Sequence, residues 1–216
     1  MPKIPMTEQK SSWSDMITVR SRECPRDAVQ LINELSRRAI MAGQHKINEE
    51  LFASEMINFS KQRVSLLAQE AEFECPELAD IIRGFYKIDY DYESFKATAE
   101  LVKATLSDLP SSFSIRLYGR TLQPNNDESV FDLWKYLFDV GFLNARVSDK
   151  RNQDGFRHIY PHEEPNYVAK TRWNVMQATI WEIGPSYRDF LISYQKEMAA
   201  KTGLPPKRKS LFNTRR

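Results

Sequence analysis

The stretch "RHIYPHEEP" is the densest run of groups able to hold a metal or move a proton, with His158, His162, Glu163 and Glu164 close together. Imidazoles and carboxylates are ligand types that zinc accepts. The H-x-x-x-H spacing would put both imidazoles on one helix face, but Pro161 lies between them and breaks that facing. These groups therefore read as solvated polar residues at a strand end, and no metal or cofactor is expected. Cys24 and Cys75 each precede a proline and have no histidine near them in sequence. Both read as small apolar residues beside helix starts. His45 follows Gly43 in a polar turn and reads as a surface residue. Ser186 lacks the G-x-S-x-G setting of a hydrolase nucleophile. No glycine is followed by lysine, so the phosphate-cradling Gly-Lys-Ser/Thr loop is absent from this sequence. The chain is thus expected to be non-enzymatic, with no catalytic residue assigned.

What remains is a set of cations and aromatics whose use depends on where the elements place them. Of 31 basic residues, Lys201, Lys207, Arg208, Lys209, Arg215 and Arg216 fall at the C-terminal end with no acid among them. Setting those six aside leaves 25 basic against 29 acidic groups, a body near −4 beneath a basic tail. That balance does not describe a uniformly basic nucleic-acid surface. The tail reads as a solvated end that can touch phosphates, headgroups or an acidic partner. Trp134, Trp173, Trp181, Phe138 and Phe142 could stack on bases, but their helical or alternating spacing favours core packing.

Length and composition bound the fold. A chain of 216 residues, 41% apolar and 12% aromatic, can bury one good core or two small ones. Seven glycines are few for an all-β architecture. Two cysteines, no charged-then-apolar leader and no apolar run near ~20 residues lead to an expectation of a cytoplasmic chain with no membrane span.

The elements follow from periodicity. Residues 1–23 show none and read as an extended or flexible lead-in. Pro25 suits a first helical turn, and Ala28, Leu31, Ile32, Leu35 and Ala39 follow at helical spacing, closed by Gly43. A second helix starts at the Asn48 cap. A bend or break is expected at "NFS", with Ser60 as a new cap and a helix on to about Phe73. "CPELADIIRGFY" repeats the proline-led start. After Tyr90, helices are expected over Ser94 to about Leu106 and Glu128 to Val140, with "LPSSFS" as a loop and Gly141 as a stop. "FLNARVS" and "FRHIYP" read as two strands joined by a polar loop, "QATIWEI" as a third, and Pro185 opens a closing helix. The fold class is mainly α with a small β-hairpin or sheet, an α+β arrangement. The expected organisation is a helical domain over 24–90, a winged-helix-like domain over 91–198 and a flexible basic tail over 199–216.

Helices followed by a hairpin is the element order of a winged helix, whose recognition helix enters DNA. Here that helix would present Asp132, Lys135, Tyr136 and Asp139, and its aspartates repel phosphate. The wing, with Lys150, Arg151 and Arg157 against Asp149 and Asp154, is only mildly basic. Nucleic acid contact through Lys135, Lys150, Arg151, Arg157 and the tail residues Lys207, Arg208 and Lys209 is the alternative use of this shape.

"CPRDAVQLINELSRRAI", "INEELFASEMINFSKQRVSLLAQE", "CPELADIIRGF", "FDLWKYLFDVGFLNARV" and "WEIGPSYRDFL" together resemble the region after the nucleotide-binding core in bacterial STAND/AAA-like P-loop ATPases. The resemblance covers most of Arg22 to Tyr194 and lacks any counterpart of the ATPase core. It implies a helical lid plus a winged-helix-like module, standing as its own chain or as a fragment. In that family the portion packs on the nucleotide domain and couples its state to a partner, and many members serve bacterial defence or signalling. Arg26, in "PRD", matches a position that approaches the nucleotide from the lid side. Without a core it has nothing to sense, and it then reads as an arginine paired with Asp27 or Glu23. The expected partner is a protein or a separate ATPase core.

Overall fold

Side-chain caps set the starts of three long helices. Asn48 accepts from the Leu51 N–H at 2.8 Å, Thr98 from Leu101 at 3.3 Å and Asn126 from Ser129 at 2.9 Å. These open α3 (Glu49–Glu70), α5 (Ala99–Ser112) and α6 (Asp127–Asp139) in the computed structural model, which describes residues 12–21, 25–88, 95–152 and 155–202. The remaining helices are α1 (Trp13–Arg20), α2 (Pro25–Met41), α4 (Leu78–Gly84), α7 (Trp173–Gln177) and α8 (Pro185–Thr202). Short strands β1 (Lys96–Ala97), β4 (Leu143–Ser148), β5 (Phe156–Ile159) and β6 (Ile180–Ile183) form one antiparallel sheet in the order β1-β6-β4-β5. The pair β2 (Arg116–Leu117) and β3 (Arg120–Thr121) makes a separate small hairpin. The chain is mainly α with a small antiparallel sheet.

Several local expectations are corrected. Trp13–Arg20 is a helix, not an extended lead-in: Ser12 caps it, and Met16 buries against Leu31, Phe52 and Met56. Helix α3 runs unbroken through "NFS". Ser60 does not cap a new helix there. It lies within α3, and its Oγ accepts the buried Phe190 N–H of α8 at 2.9 Å. Ser94 lies outside the described residues, and the next helix begins at Ala99, after β1. "LPSS" extends α5 to Ser112, with Pro110 inside the helix despite lacking the N–H that would bond the Leu106 carbonyl. Gln177, read as the start of a strand, instead closes α7, and β6 begins only at Ile180. The closing helix passes residue 199 and reaches Thr202.

Gly141 ends α6 with φ +70°, the left-handed conformation glycine adopts without a Cβ penalty. The chain then turns into β4. Gly184, after β6, packs so closely on this corner that a Cβ there would lie 2.7 Å from the Gly141 carbonyl oxygen. Its N–H donates to the Phe142 carbonyl at 2.8 Å.

Two apolar cores result. The smaller joins α1, α2 and the first half of α3 through Met16, Leu31, Leu35, Phe52, Met56 and Phe59. The larger runs from Val64 to Ile192 and so draws on both sides of residue 90. Trp134, Trp181, Phe138 and Phe142 are fully buried in it, and Trp173 is half-buried at its edge. Trp134 and Trp181 meet edge-on at 4.8 Å.

Candidate functional site

Strand alternation builds the first candidate. On β4, Leu143 and Ala145 face the core while Asn144 and Arg146 face outward. Arg146 stands opposite His158 of β5, and Glu182 of β6 stands opposite both Asn144 and Lys96. Lys96, Asn144, Arg146, His158 and Glu182 therefore share the outer face of the sheet. There the Arg146 guanidinium donates to Glu182 Oε1 at 2.6 Å, and His158 Nε2 lies 3.1 Å from Oε2. Arg188, from the first turn of α8, brings a second guanidinium to 3.8 Å and donates its Nε–H to the Ile183 carbonyl at 2.8 Å. Beside it, Arg20 at the end of α1 pairs with Asp189 at 2.7 Å, and the Ser186 hydroxyl donates to the Arg20 carbonyl at 2.8 Å. Two rings support the guanidinium groups: Phe156 lies 3.3 Å from Arg146, and Phe95 lies 5.4 Å from Arg188.

Electrostatics fixes what these groups can do. Burial raises the Glu182 carboxyl, but hydrogen bonds from His158 and Arg146 and the charge of Arg188 outweigh it and hold the pKa at about 2. A carboxylate held so firmly ionised is a poor general acid or base near neutrality. Burial lowers the pKa of Arg188 to about 10, and Arg20 and Arg146 push the same way against the attraction of Glu182 and Asp189. The Ser186 hydroxyl is committed to a carbonyl. The chemistry on offer is charge recognition.

The second candidate is the outside of α2. Its inner face carries Leu31, Leu35 and Ala39, and is pinned to α3 by two ion pairs with buried carboxylates: Asp27 to Arg63 at 3.2 Å and Glu55 to Arg38 at 3.4 Å. About a third of a turn away, Val29, Ile32 and Ile40 lie 57%, 43% and 76% exposed. They form a stripe at helical spacing. Arg26 and Arg37 border it on one side, the latter paired with Glu34.

The residues singled out from sequence are dispersed. Arg26 is 81% exposed, with Asp27 at 3.7 Å. Lys135 donates to Asp139 at 2.8 Å and to the Pro165 carbonyl at 2.9 Å. Around it, the outer side of α6 presents Asp127, Glu128 and Asp132, bound by Lys103 at 3.0 Å and by Arg120 at 3.8 and 2.6 Å. Lys150 is exposed between β4 and β5, Arg151 bonds Asp149 at 3.3 Å, and Arg157 reaches Glu164 at 3.9 Å. Lys207, Arg208 and Lys209 lie outside the described residues, as does Cys24. Cys75 is buried, and burial pushes its thiol up to about 12. His158 turns to Glu182, while His162 stacks on Tyr160. Among the described residues no group of three or more His, Cys, Asp or Glu is placed to hold a metal, and no helix is long and apolar enough to cross a membrane. Sequence reading missed Glu182, Arg188 and Arg20. The available signal was Glu182 as the one acid in an apolar strand, "TIWEI". Comparison with protein-family models, with curated proteins and with solved structures finds no match.

Proposed function

We propose that this chain is a non-catalytic interaction module, equivalent to the helical lid and winged-helix-like portion of a STAND-like P-loop ATPase. It acts by docking α2 onto an ATPase core carried by a partner protein in the cytoplasm. The observation that carries the reading is the outer stripe of Val29, Ile32 and Ile40 on a helix whose other face is already packed. Apolar side chains in a row on a charged surface mark a contact site. Arg26 and Arg37 along its border fit an apolar partner surface rimmed by carboxylates. The sequence resemblance adds the ATPase core as that partner, and a role in bacterial defence or signalling.

The test is titration of the purified chain with P-loop ATPase cores from the same genome, reading both affinity and ATP turnover. Binding is expected. Ile40→Glu and Val29→Glu should each weaken it by roughly 10- to 100-fold, the effect of one large apolar contact. Their melting temperatures should stay unchanged. Self-association that Ile40→Glu abolishes would assign the stripe to a second copy of the chain. ATP hydrolysis by the isolated chain would end the non-catalytic reading.

A second reading, duplex DNA contact by the wing, is favoured by the exposure of Lys150 and Arg151. It requires salt-steep duplex binding that K150A/R151A reduces. The carboxylates along α6 count against it.

A further inference from the structure

We infer that the outer face of the sheet is a phosphate-binding site, built from Lys96, Arg146 and Arg188 around Glu182 and independent of the α2 stripe. Lys96, Arg20, Arg146 and Arg188 face two carboxylates, Glu182 and Asp189. Among the described residues of this face the excess is two positive charges before His158 is counted. Charge imbalance of this kind is tolerated at an open surface but not where water is scarce. Here Arg20, Arg188 and Arg146 are only 11%, 13% and 20% exposed, so their repulsion is poorly screened. Arg188 feels it directly from Arg20 and Arg146. An incoming dianion relieves that repulsion, which supplies a driving force for binding.

The geometry suits an oxyanion. Arg146 spends its Nη1–H on Glu182 and lies against Phe156, which holds the guanidinium in place. A guanidinium has five N–H donors in a planar fork, so others remain for phosphate oxygens. Lys96 stands across β6 from Asn144, two residues along from Arg146, and can contribute a point charge from the far side of Glu182. Exposed Ile180, opposite Arg146, leaves the approach uncovered by the described chain. Glu182 then has two roles. It aligns the arginines, and it lowers the affinity for any second anion.

That last point makes the site testable in both directions. The probes are inorganic pyrophosphate and a mixed-sequence single-stranded oligonucleotide, each titrated calorimetrically into the full chain at low salt. Saturable pyrophosphate binding is expected. Arg146→Gln and Lys96→Gln should each weaken it on the order of tenfold, the effect of one charge-assisted bond. Glu182→Gln should tighten it several-fold, whereas an ion-pair network with only a structural role loses stability and gains no affinity. Competition by the oligonucleotide with a steep salt slope assigns the phosphate to a nucleic-acid backbone. Pyrophosphate binding without it assigns a small phosphate ligand. Absence of binding to either probe, or binding indifferent to Arg146→Gln and Lys96→Gln, overturns the inference. Those two variants decide the matter even if Glu182→Gln fails to fold. K150A/R151A should leave pyrophosphate affinity unchanged, which separates this site from the wing. Ile40→Glu should do the same, which separates it from α2.

Discussion

Glu182 shows how one residue ties pH to stability. Its carboxyl titrates at about 2 in the folded chain against an ordinary 4.5. A depressed acid contributes stability that is fully present above the unfolded value and disappears as pH falls through the folded one. The shift corresponds to something on the order of 3 kcal/mol, lost between about pH 4.5 and pH 2. Chemical denaturation across that window should show the loss in the native chain, and Glu182→Gln should flatten it. Ser60 makes a second prediction at this scale. Ser60→Ala strips the buried Phe190 N–H of its side-chain acceptor, which should cost about 1–3 kcal/mol at denaturation midpoint. Neither role was readable beforehand. Arg146, His158 and Glu182 meet only through strand register, and the separation of His158 and Glu182 by 24 positions hides that register. Ser60 looked like a cap because serine is a frequent cap. Its actual acceptor role depends on α8 arriving from 130 residues away.

Among the elements, those with strong local signals were the legible ones. Pro25 and the 28-31-35-39 spacing located α2, Asn48 the start of α3, and Gly141 the end of α6. The pairing of "FLNARVS" with "FRHIYP" was likewise evident, since alternation and a polar turn are local properties. Tertiary packing decided the rest. Helix α1 has almost no apolar pattern of its own and forms where Met16 and Trp13 find Phe52 and Leu31. Helix α3 bridges its own polar step at "NFS" because both halves pack, one in each core. The corner of Gly141 and Gly184 is the tightest of these junctions. Gly184→Ala would press a methyl group onto the Gly141 carbonyl oxygen, an atom of the backbone that cannot rotate away. A loss of about 1–3 kcal/mol is expected from thermal or denaturant unfolding. Gly43→Ala meets no neighbour and should cost only the left-handed backbone penalty, about 1 kcal/mol.

At the scale of the molecule, α3 is the shared beam. Its first half closes the small core with α2, and its second half joins α8 and α4 in the large one. The helices on either side of residue 90 are thereby joined through α3, which packs on α2 at one end and on α8 and α4 at the other. The same division separates the tryptophans. Trp13 rests against Phe52 at 4.8 Å in the small core, whereas Trp134, Trp173 and Trp181 crowd together in the large one, with ring centres 4.8 and 6.4 Å from Trp134. Indoles so close share their excited states. Circular dichroism should therefore carry a coupled signal from the large core alone, while emission lost on replacing Trp13 with Phe belongs to the small one, giving each half of the beam its own optical reporter.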